Sequence, residues 1–161
     1  MINDKLLDSR IIFLNGEVDD ESAHDIITKL LYLDSVNHSE ISLYINSPGG
    51  SVIQGLAIID CMHIIKSEVA TYCVGEAYSM GSIILSSGTK GKRYILENSE
   101  VMIHAPSGNM SGKSDEVTLS AKRLAKCKDK LIEILVNNSN KSKGQIANIL
   151  TMINSWMPMK H

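Results

Sequence analysis

Residues 70–87 read ATYCVGEAYSMGSIILSS, and this stretch decides the fold. Residues 70–74 are near-continuous in apolar character, the pattern of a strand buried on both faces of a parallel sheet. The segment Gly75–Gly81 follows, and Met80–Ser87 is a short apolar helix closed by Gly88. Ser79 therefore stands at a strand-to-helix junction. Backbone N–H groups there lack helical partners, and the positive end of the helix dipole favours negative charge. On this segment alone a helix cap is the better reading of Ser79, since serine is a preferred cap residue.

The same alternation extends in both directions. Upstream, residues 10–14, RIIFL, form a strand ended by Asn15-Gly16. Acids follow Val18, and then Ala23, Ile26, Ile27, Leu30 and Leu31 fall on one face of a helix with an acidic first turn. Residues 41–45, ISLYI, form a second strand, stopped by Asn46-Ser47-Pro48-Gly49-Gly50. A helix with Val52, Leu56, Ile59 and Met62 at helical intervals comes next. Downstream are short strands at 93–96 and 101–104, the latter ending on His104. The polar stretch Ser107–Ser114 leads into a long helix at about 115–138, striped by Val117, Ala121, Leu124, Leu131 and Leu135. Alternating strands and helices predict an α/β domain with a largely parallel sheet and right-handed crossovers. The long helix has no obvious sheet partner and is expected to project and pack on a neighbouring subunit.

Bulk properties narrow the function classes. A chain of 161 residues fits one domain with a sizeable core. Apolar residues make up 43% and charged residues 21%, an ordinary globular composition. The net charge of −2 comes without a basic run, which argues against a nucleic-acid partner. Cys61, Cys73 and Cys127 are odd in number and show no paired spacing, so a disulfide framework or zinc site is not expected and a reducing cytoplasm is. The opening MINDKLLDSR lacks the apolar core of a secretory signal, and no apolar run approaches the ~20 residues that span a bilayer. The sequence reads as soluble and cytoplasmic, with no metal, cofactor or membrane partner.

Three segments carry candidate chemistry. Ser79 in GEAYSMG is a candidate nucleophile. The Pro48-Gly49-Gly50 turn exposes bare backbone whose amides can form an oxyanion hole, although glycine pairs also make ordinary tight turns. His104, at the end of an apolar strand and two residues before Pro106, is a candidate general base, although a lone histidine is more often structural. His24, His38, His63 and His161 have no motif around them. All three segments lie at carboxyl ends of strands, where open α/β sheets gather their sites. Serine, histidine and backbone amides together form the acyl-transfer constellation.

At these residues the chain resembles the proteolytic subunits of the Clp ATP-dependent protease, serine peptidases with a crotonase-like fold of repeated β-β-α units. The matching stretches are RIIFLNGEVDD, LYINSPGGSVIQGLAI, GEAYSMGS, GTKGKRYILENSEVMIHAP and the helix after GNMSGKSDEV, in family order from about residue 5 to residue 150. The resemblance implies Ser79 as nucleophile, His104 as base, and the amides of Gly50 and Met80 as the oxyanion hole. It also implies heptameric rings stacked as a tetradecamer through the long helix, whereas rings mixed with an active paralogue belong to a competing, non-catalytic reading. Substrates would be peptides or unfolded proteins, with a hexameric Clp-type unfoldase ATPase as partner.

The chain departs from that family in three ways. The family's third catalytic residue is an aspartate before an aromatic residue, whereas residues 151–157 read TMINSWM. With Trp156 aligned to that aromatic and one residue inserted, Asn154 takes the aspartate's place. Its carbonyl oxygen can orient an imidazole but supplies no charge. The acidic-basic pair beside that aspartate is missing too, which weakens or re-regulates ring stacking. Both ends are short relative to the family across a single domain, 1–161. A non-catalytic ring subunit is the competing reading. An acyl-CoA enzyme of the crotonase type fits less well, because such enzymes generally move protons with acidic residues.

Overall fold

The computed structural model describes residues 2–108 and 111–151. The chain divides into two compact units, one running to Ile103 and the other starting at His104.

The first unit contains, among the described residues, a parallel sheet and four helices. Its elements are α1 (Ile2–Asp8), β1 (Ile11–Asn15), α2 (Asp20–Val36), β2 (Ile41–Ser47), α3 (Val52–Ile64), β3 (Val69–Tyr78), α4 (Met80–Ser86), β4 (Arg93–Ile95) and β5 (Glu100–Met102). Strand order is β1-β2-β3-β4, with β5 also on β3, and every strand pair among the described residues is parallel. The first part of β3 pairs with β4 through Thr71–Cys73, and its end pairs with β5 through Glu76–Tyr78. The parallel α/β expectation therefore holds.

Alternation along the strands sorts the side chains into a core and an open face. Ile12, Leu14, Ile41, Leu43, Ile45 and Cys73 are buried. On the other face Phe13, Tyr44, Tyr72 and Tyr94 form an aromatic row across four strands, with ring centroids 5.5, 4.7 and 4.8 Å apart. The helices are fixed by local chemistry. Asp19 caps α2 by accepting from Ser22 N, while Ser22 Oγ accepts from Asp19 N. At the other end Arg10 donates to the carbonyls of Leu33, Asn37, Ser39 and Glu40, capping the last turn of α2 with a cation.

The second unit holds α5 (Ser114–Asn137) and α6 (Lys143–Thr151), which pack together. Burial on α5 is confined to Leu131, Ile132 and Leu135, and on α6 Ile146 and Leu150 are buried. Ala121, expected on the apolar stripe, is exposed. None of the helices among the described residues is long and apolar enough to cross a membrane.

Candidate active site

β3 continues four residues past the expected end at 74, because Gly75 does not stop it. Gly75 takes φ 85° in a bulge, and the register with β2 moves from Ile45↔Cys73 to Ser47↔Ala77. Side chains pin the bulge from both flanks. Asn46 Oδ1 accepts from Glu76 N at 3.3 Å. Ser99 Oγ accepts from Gly75 N and donates to Cys73 O, each at 3.0 Å. The strand is thereby carried up to the residue before Ser79.

Ser79 has φ 50° and ψ −120°, a conformation few side-chain-bearing residues adopt. Such strain costs on the order of 1–3 kcal/mol and persists only where neighbours over-determine it. Here Ser79 N donates to Met102 O at 2.8 Å, and Ser79 O accepts from Ser82 Oγ at 2.6 Å and Ser82 N at 3.1 Å. The Ser79 side chain makes no capping bond to α4. The cap reading of the isolated segment is thus wrong: a capping serine has extended backbone and bonds its own helix, whereas this hydroxyl makes no bond to α4. A sharp strand-to-helix turn bearing a serine is the geometry of a nucleophile elbow.

The glycine turn lies directly beside this elbow. A Cβ built on Gly49 would fall 2.7 Å from both Ser79 Cβ and Tyr78 O, so only glycine fits. The turn is tied to Val18: Val18 N donates to Gly49 O at 2.8 Å and Ser51 N to Val18 O at 2.7 Å. Gly49 N donates to Ser47 Oγ at 3.1 Å. The amides of Gly50 and Met80 donate to no described residue. The structure therefore brings Ser79 and Met80 together with the Gly49-Gly50 turn, inside one compact unit.

His104 is exposed and begins the second unit. β5 stops at Met102, two residues short of the expected end. The Met102 carbonyl is taken by Ser79 N, beyond which β3 has turned into α4 and offers no further ladder. Asn154 lies outside the described residues.

Sequence reading missed the supports of the site: Gly49 as the contact residue, Ser82, Asn46, Ser99, and the bond from Tyr78 Oη to Glu100 Oε2 at 2.6 Å. That bond, with partial burial and the carboxylate charge, pushes the Tyr78 phenol up to about 12. Burial pushes the Cys73 thiol up to about 11, which keeps it a neutral core group. Among the described residues, no group of His, Cys, Asp or Glu is placed to hold a metal ion.

A family model described as Clp protease matches residues 1–159. The chain is also similar to ATP-dependent Clp protease proteolytic subunit 1 of Rhodopirellula baltica, 48% identical over 147 residues. That alignment takes in 91% of this chain but 65% of the relative, so the chain spans less than two thirds of the relative's length. The family model covers nearly the whole sequence: the chain belongs to the Clp protease family.

Proposed function

We propose that the chain is a serine endopeptidase subunit of a self-compartmentalising ring protease, with Ser79 as nucleophile. The observation that carries this reading is the strained Ser79 backbone at the start of α4, packed against the Gly49 turn, with a side chain that makes no capping bond. Family membership and the name of the Rhodopirellula relative support it.

In the proposed reaction Ser79 Oγ attacks the scissile carbonyl carbon while His104 accepts the hydroxyl proton. The amides of Gly50 and Met80 donate to the resulting oxyanion. His104 then protonates the leaving amine, and water activated by the same imidazole hydrolyses the acyl ester. Family membership supports the pairing of Ser79 with His104. Asn154 is assigned the orienting role, and the lack of a carboxylate there lowers turnover by roughly 10⁴ relative to a complete triad.

The remaining assignments follow from this reading. Residues 1–161 work as one peptidase domain in the cytoplasm. Heptameric rings, alone, stacked as a tetradecamer or mixed with a paralogue, admit peptides and unfolded proteins, with a Clp-type ATPase feeding the latter. The non-catalytic alternative is less favoured, since it gives no reason to keep a strained serine whose side chain does not cap its helix. Peptide cleavage by a purified assembly tests the proposal: Ser79→Ala should abolish it, and undiminished cleavage would refute it.

A further inference from the structure

We propose that Tyr78 and Glu100 form a positioning clasp, which holds β5 in register against β3 and so fixes the backbone of Ser79. The inference rests on the reading of Ser79 as nucleophile and deepens it. β5 has three residues, and β3 is its one strand partner among the described residues. A strand this short has few ladder bonds of its own, yet its Met102 carbonyl receives the Ser79 N–H at 2.8 Å. If β5 slides or frays, the elbow loses one of the bonds that maintain its positive φ.

The register itself works against β5. Glu76 pairs directly with Glu100, and like charges directly opposite one another destabilise a strand pair. Tyr78 offsets this repulsion. Its own cross-strand partner is Met102, so the phenol reaches back diagonally to Glu100 and donates at 2.6 Å, the length of a charge-assisted bond. With its phenol pushed up to about 12, Tyr78 remains a donor at neutral pH. The clasp thus joins the last residue of β3 to the first residue of β5, and Ser79 is the next residue along the chain from Tyr78. Neither side chain is assigned contact with substrate; both act through the backbone of Ser79.

The test combines kinetics with amide hydrogen exchange on the full-length assembly. Tyr78→Phe should lower kcat for a peptide substrate about three- to tenfold while KM stays within about twofold. Exchange across residues 100–102 and at Ser79 should quicken. Glu100→Gln, which still accepts a hydrogen bond and removes the repulsion, should keep kcat near that of the parent. Glu100→Ala should lower it, and Glu100→Ala with Tyr78→Phe should cost no more than the larger single effect. If the parent cleaves peptide and Tyr78→Phe matches it in rate, or the two losses add in full, the clasp is overturned. If the parent proves inactive, faster exchange at Ser79 in Tyr78→Phe upholds the clasp while the nucleophile reading fails; unchanged exchange overturns the clasp as well.

Discussion

Gly49 and Ser79 approach so closely that a Cβ added at Gly49 would lie 2.7 Å from Ser79 Cβ and 2.8 Å from Met80 N. The turn carrying one proposed oxyanion donor is thus packed against the residue proposed to attack. Neither can shift without the other, because Tyr78 O closes the same space at 2.7 Å.

Gly49→Ala should therefore disable the site. The added methyl meets backbone rather than a flexible side chain, and φ 93° is itself strained for alanine. A displacement near 1 Å at a reacting centre costs on the order of 10²-fold in rate. Labelling of the serine by a fluorophosphonate should fall by about that factor in a variant that still folds by circular dichroism. Labelling at the parent rate would contradict the packing account.

Asn154→Asp should raise the acylation rate by at least about tenfold, since a carboxylate stabilises the imidazolium that an amide leaves uncompensated. Stopped-flow acylation with an activated ester reads this directly. An unchanged rate would contradict the proposed role of Asn154.

Arg10→Ala should destabilise the fold by about 1–3 kcal/mol without altering the chemistry at Ser79. The guanidinium serves four backbone carbonyls between the last turn of α2 and the start of β2, and Ser67 Oγ just before β3. Chemical denaturation should show a lower midpoint with an unchanged slope. A midpoint equal to the parent's would mean that water replaces these bonds without loss.

Asp34 ties α2 to the residues just before β3. Its Oδ1 accepts from Ser67 Oγ, Ser67 N, Lys66 N and His38 Nδ1. Partial burial pushes its carboxyl up, but bonds from Ser67, Lys66 and His38 outweigh this and hold it at about 2, below the ordinary 3.8. A depressed carboxyl stabilises the fold fully above its unfolded value and loses that contribution as pH falls through its folded value. Stability should decline from about pH 4 toward pH 2, and Asp34→Asn should flatten that part of the profile while lowering stability at pH 7. Parallel profiles for the two proteins would contradict this.

The order of elements was legible in the sequence because each apolar segment has the period of its structure. RIIFL, ISLYI and the stripe Ala23-Ile26-Leu30 carry their own signals, and so does Ser79 between a strand and a helix. The β3 extension was not legible, since a glycine at a bulge and a glycine at a strand end look alike until the partner strand is known. α6 did have a signal that went unread. Ser142 and Gln145 form a reciprocal capping pair, with Gln145 N donating to Ser142 Oγ and Ser142 N to Gln145 Oε1. α1 is seven residues long and has too little periodicity to stand out. The aromatic row depends on register, because Phe13, Tyr44, Tyr72 and Tyr94 come from four strands far apart in the chain. At the site, residue types named the chemistry, but the backbone angle of Ser79 and its closeness to Gly49 exist only in three dimensions.

The most direct measurement is to map a fluorophosphonate adduct by mass spectrometry in the parent protein, Ser79→Ala and His104→Ala. The account predicts a single adduct on Ser79, slowed by orders of magnitude in His104→Ala and absent in Ser79→Ala. An adduct on another serine, or labelling of Ser79 indifferent to the loss of His104, would contradict it.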